Sequence, residues 1–168
     1  MAVQDPQSLF VLELSRLHCT EQAGDRLMQQ FSNEIQNPQL KNLITDHIKD
    51  TAQQLRNLEQ CAQVLGQQIS PVACPIADGF MQDRQDLMKQ QPTIDVIQLA
   101  DIGAVEKWEH TEIGAYQVLV DMARAMNQPQ CVSLLEQNLR DEQAMANRVQ
   151  QLGSQVIQQM VQRQARAA

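Results

Sequence analysis

Glu112 stands in a row of the sequence that a helix in a bundle would otherwise fill with apolar residues. At seven-residue spacing, the residues around it form two adjacent rows: Val105, Glu112, Leu119 and Met126, and beside them Trp108, Ala115 and Met122. Two such rows are the buried seam of a helical bundle. Because burying a carboxylate either costs several kcal/mol or forces it to take up a proton, an inward-facing Glu112 requires a partner.

The composition predicts a single all-α domain. The 168 residues are 43% hydrophobic and 3% aromatic, with only 6 Gly and 6 Pro, which leaves few strand formers and few turns. The formal charge of -7 and the pI near 4.8 argue against nucleic acid or an anionic membrane as a partner. No apolar run reaches the ~18 residues of a membrane span, and the N-terminal sequence lacks the basic region of a signal peptide. These features predict a cytoplasmic protein.

The four cysteines are widely separated and predict free thiols. Cys19, Cys61, Cys74 and Cys131 form no CxxC pair, so their spacing suggests neither a zinc ribbon nor a disulfide framework. We expect small apolar residues in a reducing compartment.

Helix starts are marked by proline. Asp5-Pro6, Asn37-Pro38 and Gln128-Pro129 each place Pro in the first helical turn, and Pro92-Thr93 offers Thr93 as a cap. The seven-residue rows then predict four long helices, at 6–36, 38–65, 93–127 and 129–162. Together they form the core, 6–162, of one domain spanning 1–168, and residues 163–168 are expected to be a frayed tail.

The connections predict the topology. The first and second helices are joined by a tight turn at Asn37-Pro38, and the last two by Asn127-Gln128-Pro129, so each pair should form an antiparallel hairpin. The segment 66–92 is too long for a hairpin turn and carries its own helical stretch near Ala77–Lys89. It is therefore expected to be a crossover between the two hairpins.

Each apolar seam is interrupted by polar residues at one level. Glu21 breaks the first, His47 with Asp50 and Gln54 the second, and Glu142 the fourth. Glu21 lies about 16 residues before the first hairpin turn, and His47 lies about 10 residues after it. Glu112 lies about 16 residues before the second turn, and Glu142 lies about 13 residues after it. At a rise of 1.5 Å per residue, all four lie within a few Å of one another along the bundle axis.

Carboxylates converging in a dry core cannot all remain ionised. A pair of hard or borderline divalent cations resolves the conflict, and carboxylates with an imidazole are ligands suited to iron or manganese. A single seam acid is more often protonated or water-bridged, but four at one level favour a metal site.

Several neighbouring residues leave alternatives open. Glu109, one turn from Glu112, is equally a candidate ligand and a surface acid. His110 should face solvent, and His18 could reach the site or lie at the bundle surface, with the surface position favoured. Trp108 is expected to pack in the core, whereas Tyr116 could pack or hydrogen-bond to the carboxylates.

At these residues the sequence resembles the YciE/YciF-type ferritin-like proteins, bacterial stress-associated four-helix proteins with an expected dinuclear metal site. Five segments over about residues 8–152 carry the resemblance: Leu9-Phe-x-x-Glu-Leu-x-x-Leu-x-x-x-Glu21, Asp46-His-x-x-Asp-Thr-x-x-Gln-x-x-x-Leu58-Glu59, Cys74-x-x-x-Asp78-Gly79, Glu106-Lys-Trp-Glu-His-Thr-Glu-Ile-Gly-Ala-Tyr116 and Leu135-x-x-x-Leu-x-x-Glu142.

The resemblance implies six metal ligands: Glu21, His47, Asp50, Glu109, Glu112 and Glu142. This chain departs from the family at Asp50, where Glu is usual and the reach to the metals is longer, and at Ala146, where a further acid is usual. Compared with ferritins at large, its second helix has the reversed order His47-x-x-Asp50, and its fourth has Met145 where ferritins place His.

The sequence therefore predicts an all-α, ferritin-like four-helix bundle, with two antiparallel hairpins joined by a long crossover that carries a short extra helix. By resemblance, two divalent ions, iron or manganese, would support ferrous oxidation or the consumption of oxygen or peroxide in stress protection. The second hypothesis is a non-catalytic bundle that binds a partner protein or stores metal. The oligomeric state is left open, a homodimer included.

Overall fold

In a computed structural model that describes residues 3–167, the chain forms five α-helices and that range contains no strand. The helices are α1 (Pro6–Phe31), α2 (Pro38–Val64), α3 (Pro75–Met88), α4 (Ile94–Ala125) and α5 (Pro129–Ala167). All but α4 begin at a proline, whose fixed φ and missing N–H suit the first helical turn. Among the described residues, no helix is long and apolar enough to cross a membrane.

The helix boundaries follow local capping with two departures from the prediction. Asp5 accepts a 2.8 Å hydrogen bond from the Ser8 backbone, and Asn37 accepts bonds from the backbone of the first turn of α2. Helix α1 ends at Phe31 rather than at 36, because the residue before Pro38 must be extended and the chain needs a short turn to reach it. Helix α5 continues to Ala167, beyond the predicted helix end at 162.

Two apolar clusters fill the two ends of the bundle. One contains residues from the start of α1, the end of α2, the end of α4 and the start of α5: Phe10, Leu14, Leu58, Cys61, Leu119, Ala123, Cys131 and Leu135 among them. The other contains residues from the opposite end of each helix: Met28, Leu40, Ile44, Ile102, Trp108, Val149 and Val156 among them. Since α1 and α5 run from the first cluster to the second and α2 and α4 run back, each predicted hairpin is antiparallel.

This arrangement explains the crossover. Helix α1 packs against α2 and α4, and α5 packs against the same two helices, so α2 and α4 lie diagonally across the bundle and run in the same direction. The chain leaving α2 must therefore return along the whole bundle before α4 can begin. Helix α3 lies in this return and packs on α1, and every one of its residues keeps some exposure.

Candidate metal centre

Four buried side chains meet between the two apolar clusters. His47 of α2, Glu109 and Glu112 of α4 and Glu142 of α5 each offer one ligand atom, and these atoms lie within 4.8 Å of one another. The most exposed of the four, His47, keeps only 4% of its surface in contact with solvent. The predicted convergence of these helices at one level is thus observed, and Glu109 belongs to the cluster rather than to the surface.

Helical spacing explains how α4 supplies two acids. Glu109 and Glu112 are three residues apart, so both project from one face of the helix into the same layer. The imidazole of His47 faces them from α2, with Nε2 3.8 Å from Oε1 of Glu109 and 3.8 Å from Oε2 of Glu142. These separations exceed a hydrogen bond, so the imidazole pairs directly with neither acid.

The carboxylate oxygens of this layer are short of protein partners. Both oxygens of Glu109, both of Glu112 and Oε2 of Glu142 are buried without a hydrogen bond from any described protein group. Leaving such acceptors unpaired in a core is costly, and oxygen atoms beside an imidazole are the donor set that divalent iron or manganese accepts. The residues therefore fit a cation.

Burial and mutual repulsion raise the pKa of every acid in the layer. Burial is the largest cause in each case, and neighbouring carboxylates add to it, so the pKa values of Glu109 and Glu112 lie well above the ordinary range for glutamate. Burial raises the pKa of Glu142 to about 7. The neighbouring Glu109 carboxyl and the Gln54 amide lower this pKa and so partly offset the effect of burial. Without a cation, these acids therefore keep their protons to higher pH than an exposed glutamate does.

Burial acts on His47 in the opposite direction. Desolvation lowers its pKa to about 4, so the imidazole is neutral at physiological pH. A neutral imidazole has a free nitrogen lone pair, which is the form that binds a metal.

Glu21 of α1 lies in the same layer but is held by protein. It is 1% exposed, and its Oε1 accepts a 2.5 Å hydrogen bond from the phenol of Tyr116. Burial raises its pKa well above the usual range, Glu142 adds to the shift, and the Tyr116 hydrogen bond partly opposes it. Glu21 is outside the four residues that lie within 4.8 Å of one another.

A buried hydrogen-bond network supports the layer on the side of the first apolar cluster. The amide of Gln54 donates to Oε1 of Glu142. The side-chain amide of Asn138 donates to the backbone carbonyl of Gln54 at 3.1 Å and to the Tyr116 phenol at 3.0 Å. Its oxygen accepts a 2.7 Å hydrogen bond from the Asn57 side chain. A single side chain, Asn138, thereby connects the partners of Glu21 and Glu142.

The sequence prediction missed Asn57 and Asn138. Asn138 lies four residues before Glu142 on α5, and therefore one turn away on the same face. An amide one turn from a seam acid is the signal that would have found it. Tyr116, left open between packing and hydrogen bonding, is shown to hydrogen-bond.

Asp50 does not join the cluster. It follows His47 by three residues, but its side chain is exposed, whereas Thr51 and Gln54 turn inward with His47. The inward face of α2 is centred on the latter residues, and an aspartate at its flank has a chain too short to reach across. The expectation that Asp50 faces the layer is therefore corrected.

Trp108 and the two other histidines lie outside the cluster of four ligand candidates. Trp108 is buried and packs edge-on against Phe80 of α3, with ring centroids 5.0 Å apart, which confirms core packing. His110 is exposed, as predicted. His18 is 8% exposed and lies 3.2 Å from Oε1 of Glu59, so the prediction of a surface position for it is wrong.

Known proteins share this fold. Protein YciF of Escherichia coli (strain K12) is 22% identical over 145 residues, which are 86% of this chain and 87% of YciF. The crystal structure of that E. coli stress protein superposes with a TM-score of 0.86, covering 93% of this chain and 99% of YciF at 20% identity. YcfI from Rhodopseudomonas palustris gives a TM-score of 0.82 at 25% identity, covering 88% of this chain and 94% of YcfI.

A more distant structure supports the fold class. A two-domain protein from Anabaena variabilis, with DJ-1/ThiJ/PfpI-like and ferritin-like domains, gives a TM-score of 0.64 at 14% identity. The match covers 90% of this chain and 37% of that protein. The predicted all-α, ferritin-like bundle and the YciF-type resemblance are both confirmed.

The sequence also matches, over residues 5–162, the family described as Domain of unknown function (DUF892). This chain belongs to that family.

Proposed function

We propose that the protein binds two divalent ions, iron or manganese, in the layer between its apolar clusters. The observation that carries the proposal is the set of five buried carboxylate oxygens without protein partners, which face a neutral imidazole. Deprotonated by a cation, these oxygens would become ligands, and the repulsion between the acids would turn into attraction to the metal.

The first ion would be held by His47, Glu109, Glu112 and Glu142, whose ligand atoms already lie within 4.8 Å of one another. The second would be held by Glu21 together with Glu112 or Glu142 of the same layer. Asp50 is left out of this ligand set because its side chain is exposed.

The proposed activity is oxidation of ferrous iron, or consumption of oxygen or peroxide, in protection against stress in the cytoplasm. Bound iron or manganese would supply the electron transfer, which the carboxyl and imidazole groups of the layer do not perform themselves. The protein's own groups would keep the ions in a dry core and fix Glu21 and Glu142 through Tyr116 and Gln54. The similarity to YciF, which is called a stress protein, supports this role.

The test is a ferrous titration of metal-free protein without oxygen, followed by exposure to dioxygen or peroxide. We expect two iron ions per chain, and optical absorbance from ferric iron once oxidant is added. Glu106→Gln, an acid on α4 outside the cluster, is the matched control for Glu112→Gln. Binding that is equal in the two variants, or iron that stays ferrous with both oxidants, would contradict the proposal.

A second function is a non-catalytic bundle that stores metal or binds a partner protein. The exposed position of Asp50 favours it, because one of the six ligands implied by resemblance is missing from the cluster. Binding of one ion per chain, with no oxidation by either oxidant, would favour this second function.

A further inference from the structure

Cys19 of α1 and Cys74, directly before α3, are neighbours where the crossover runs along α1. The Cys19 thiol donates a 3.3 Å hydrogen bond to the backbone carbonyl of Val72, two residues before Cys74. The Cys74 sulfur lies 3.8 Å from the hydroxyl of Thr20, the residue after Cys19. Burial raises the pKa of Cys19, and the adjacent Cys74 thiol raises it further. The two thiols therefore face each other across the contact between the crossover and α1.

A further hydrogen bond fixes the register of this contact. The backbone N–H of Ser70 donates a 3.1 Å bond to the hydroxyl of Ser15, which lies one helical turn before Cys19. The segment 70–74 thus follows α1 from Ser15 to Thr20, and the position of Cys74 beside Cys19 depends on three separate contacts rather than on one.

The chain contains a second pair of adjacent thiols that differs in its access to solvent. Cys61 and Cys131 each donate to the backbone carbonyl of the other, and both are fully buried. Cys19 and Cys74 are half-buried. Since oxidation of thiols follows their exposure, a small oxidant should reach Cys19 and Cys74 first.

A bond at Cys74 would anchor the start of α3. This helix covers a partly open apolar cavity of about 90 Å³ that also lies against α1 and α4. Phe80 of α3 packs edge-on against Trp108, with ring centroids 5.0 Å apart, and Arg84 lies 4.1 Å above the Phe31 ring. These contacts of α3 with the bundle are non-covalent, so a covalent link beside them would fix the helix over the cavity.

We propose that Cys19 and Cys74 are a reversible oxidation site, in which hydrogen peroxide joins the two thiols in a disulfide that fixes the crossover to α1. The sulfur of one thiol attacks a peroxide oxygen, the O–O bond breaks, and a sulfenic acid and one water form. The sulfur of the other thiol then attacks the sulfenic sulfur, the S–S bond forms, the S–O bond breaks, and a second water leaves. Two electrons pass from sulfur to peroxide, and the two thiol protons end in water. The reaction needs no metal and is independent of the proposed function.

The first test treats metal-free, full-length protein with hydrogen peroxide, blocks the remaining thiols with an alkylating reagent and digests the protein with trypsin in the absence of reductant. Cleavage after Lys and Arg places the four cysteines in three peptides: 17–26 with Cys19, 57–84 with Cys61 and Cys74, and 125–140 with Cys131. We expect mass spectrometry to find 17–26 linked to 57–84 within one chain, and dithiothreitol to separate the two peptides. A link from 57–84 to 125–140 alone, a link between chains, or oxidised thiols without any link would overturn the proposal.

Cys19→Ser and Cys74→Ser are the variants for this test. A serine hydroxyl can make the hydrogen bonds of each half-buried thiol, so both variants should fold like the wild-type protein. Both should lose the link between 17–26 and 57–84. A link that persists in Cys74→Ser would come from Cys61, and it would overturn the assignment.

The second test asks whether the disulfide forms within the native fold. The bond closes a long loop that includes the whole of α2, so oxidised wild-type protein should melt several degrees higher than reduced protein. Dithiothreitol should reverse this rise. Cys74→Ser treated with peroxide in the same way should show no rise, which excludes oxidised methionine as its cause. Linked protein that melts no higher than reduced protein would show that the sulfur atoms meet only after local unfolding, and would overturn the proposal.

Discussion

The phenol oxygen of Tyr116 donates a 2.5 Å hydrogen bond to Oε1 of Glu21, across the interface between α4 and α1. The same phenol accepts a 3.0 Å bond from Asn138 of α5. Glu112, in contrast, has no hydrogen bond to either of its buried oxygens. The layer therefore contains two kinds of acid, one satisfied by protein and the other by nothing except a cation or a proton.

Replacing Tyr116 by Phe should destabilise the metal-free protein by about 1–3 kcal/mol, because Oε1 of Glu21 loses its donor and one of the two hydrogen bonds donated by the Asn138 amide is lost. The measurement is urea unfolding followed by circular dichroism. Thr111→Val removes a hydroxyl from the same helix, where it bonds only to the backbone of Lys107, and should change the free energy of unfolding by less than about 0.5 kcal/mol. Equal effects of the two substitutions would contradict the role given to Tyr116.

Glu112→Gln should lose most of the metal bound by the wild-type protein while keeping its helical content. The amide preserves the shape of the side chain but cannot carry the charge that attracts a cation. Metal analysis after dialysis, with circular dichroism on the same samples, decides the point. An unchanged metal content would remove Glu112 from the ligand set.

Periodicity predicts the metal layer because burial is a property of a whole helix face. Glu112 could be assigned an inward position because Val105 and Leu119 on either side of it must face the core, and both its burial and its neighbours agree. Asp50 could not be assigned in this way. It stands at the edge of the inward face of α2, where a rotation of the helix by a few tens of degrees decides between core and solvent.

The periodicity of the sequence could not predict contacts between residues that are distant in the chain. The Asn138 bonds to Gln54 and Tyr116 depend on which helices are neighbours and at which height, and the cavity under α3 depends on where the crossover packs. Composition shows that α3 forms a helix, but its partly exposed residues carry no strong pattern that would dock it on α1.

The thiols should divide into two reactive and two protected groups. Cys61 and Cys131 are fully buried, and each donates to the backbone carbonyl of the other, whereas Cys19 and Cys74 are half-buried. We expect an aromatic disulfide reagent to modify two thiols in native protein and all four after denaturation without reductant. A Cys19→Ser, Cys74→Ser variant should lose the fast phase alone. Fewer than four thiols in freshly denatured wild-type protein would indicate a disulfide and contradict the prediction.

The stability of the metal-free protein should fall as pH rises from about 4.5 to 8. Burial raises the pKa of Glu142 to about 7 and keeps those of Glu21, Glu109 and Glu112 well above 4.5, so the folded protein retains protons that the unfolded chain releases. Each retained proton lowers the free energy of unfolding by about 1.4 kcal/mol per pH unit. Urea unfolding at several pH values gives the slope.

His47 opposes this trend over part of the range. Its folded pKa of about 4 lies below the ordinary 6.5, so its contribution to stability is lost as pH falls from 6.5 towards 4 and regained as pH rises. One group cannot outweigh four acids, and above pH 6.5 the decline is unopposed. Glu112→Gln should show a shallower decline than the wild-type protein. Stability that stays level or rises between pH 6.5 and 8 would show that the acids titrate normally.

Glu112→Leu should raise the melting temperature of the metal-free protein near pH 7, because apolar packing replaces a buried polar group that lacks a partner, which costs about 1–3 kcal/mol. No hydrogen bond is lost, because neither oxygen of Glu112 has a protein partner. Glu21→Leu should raise the melting temperature less, since it removes the hydrogen-bond acceptor of the Tyr116 phenol. Ferrous or manganous ion should raise the melting temperature of the wild-type protein and leave that of Glu112→Leu nearly unchanged. If Glu112→Leu melts well below the metal-free wild-type protein and metal shifts neither, the layer is a structural network of protonated acids rather than a metal centre.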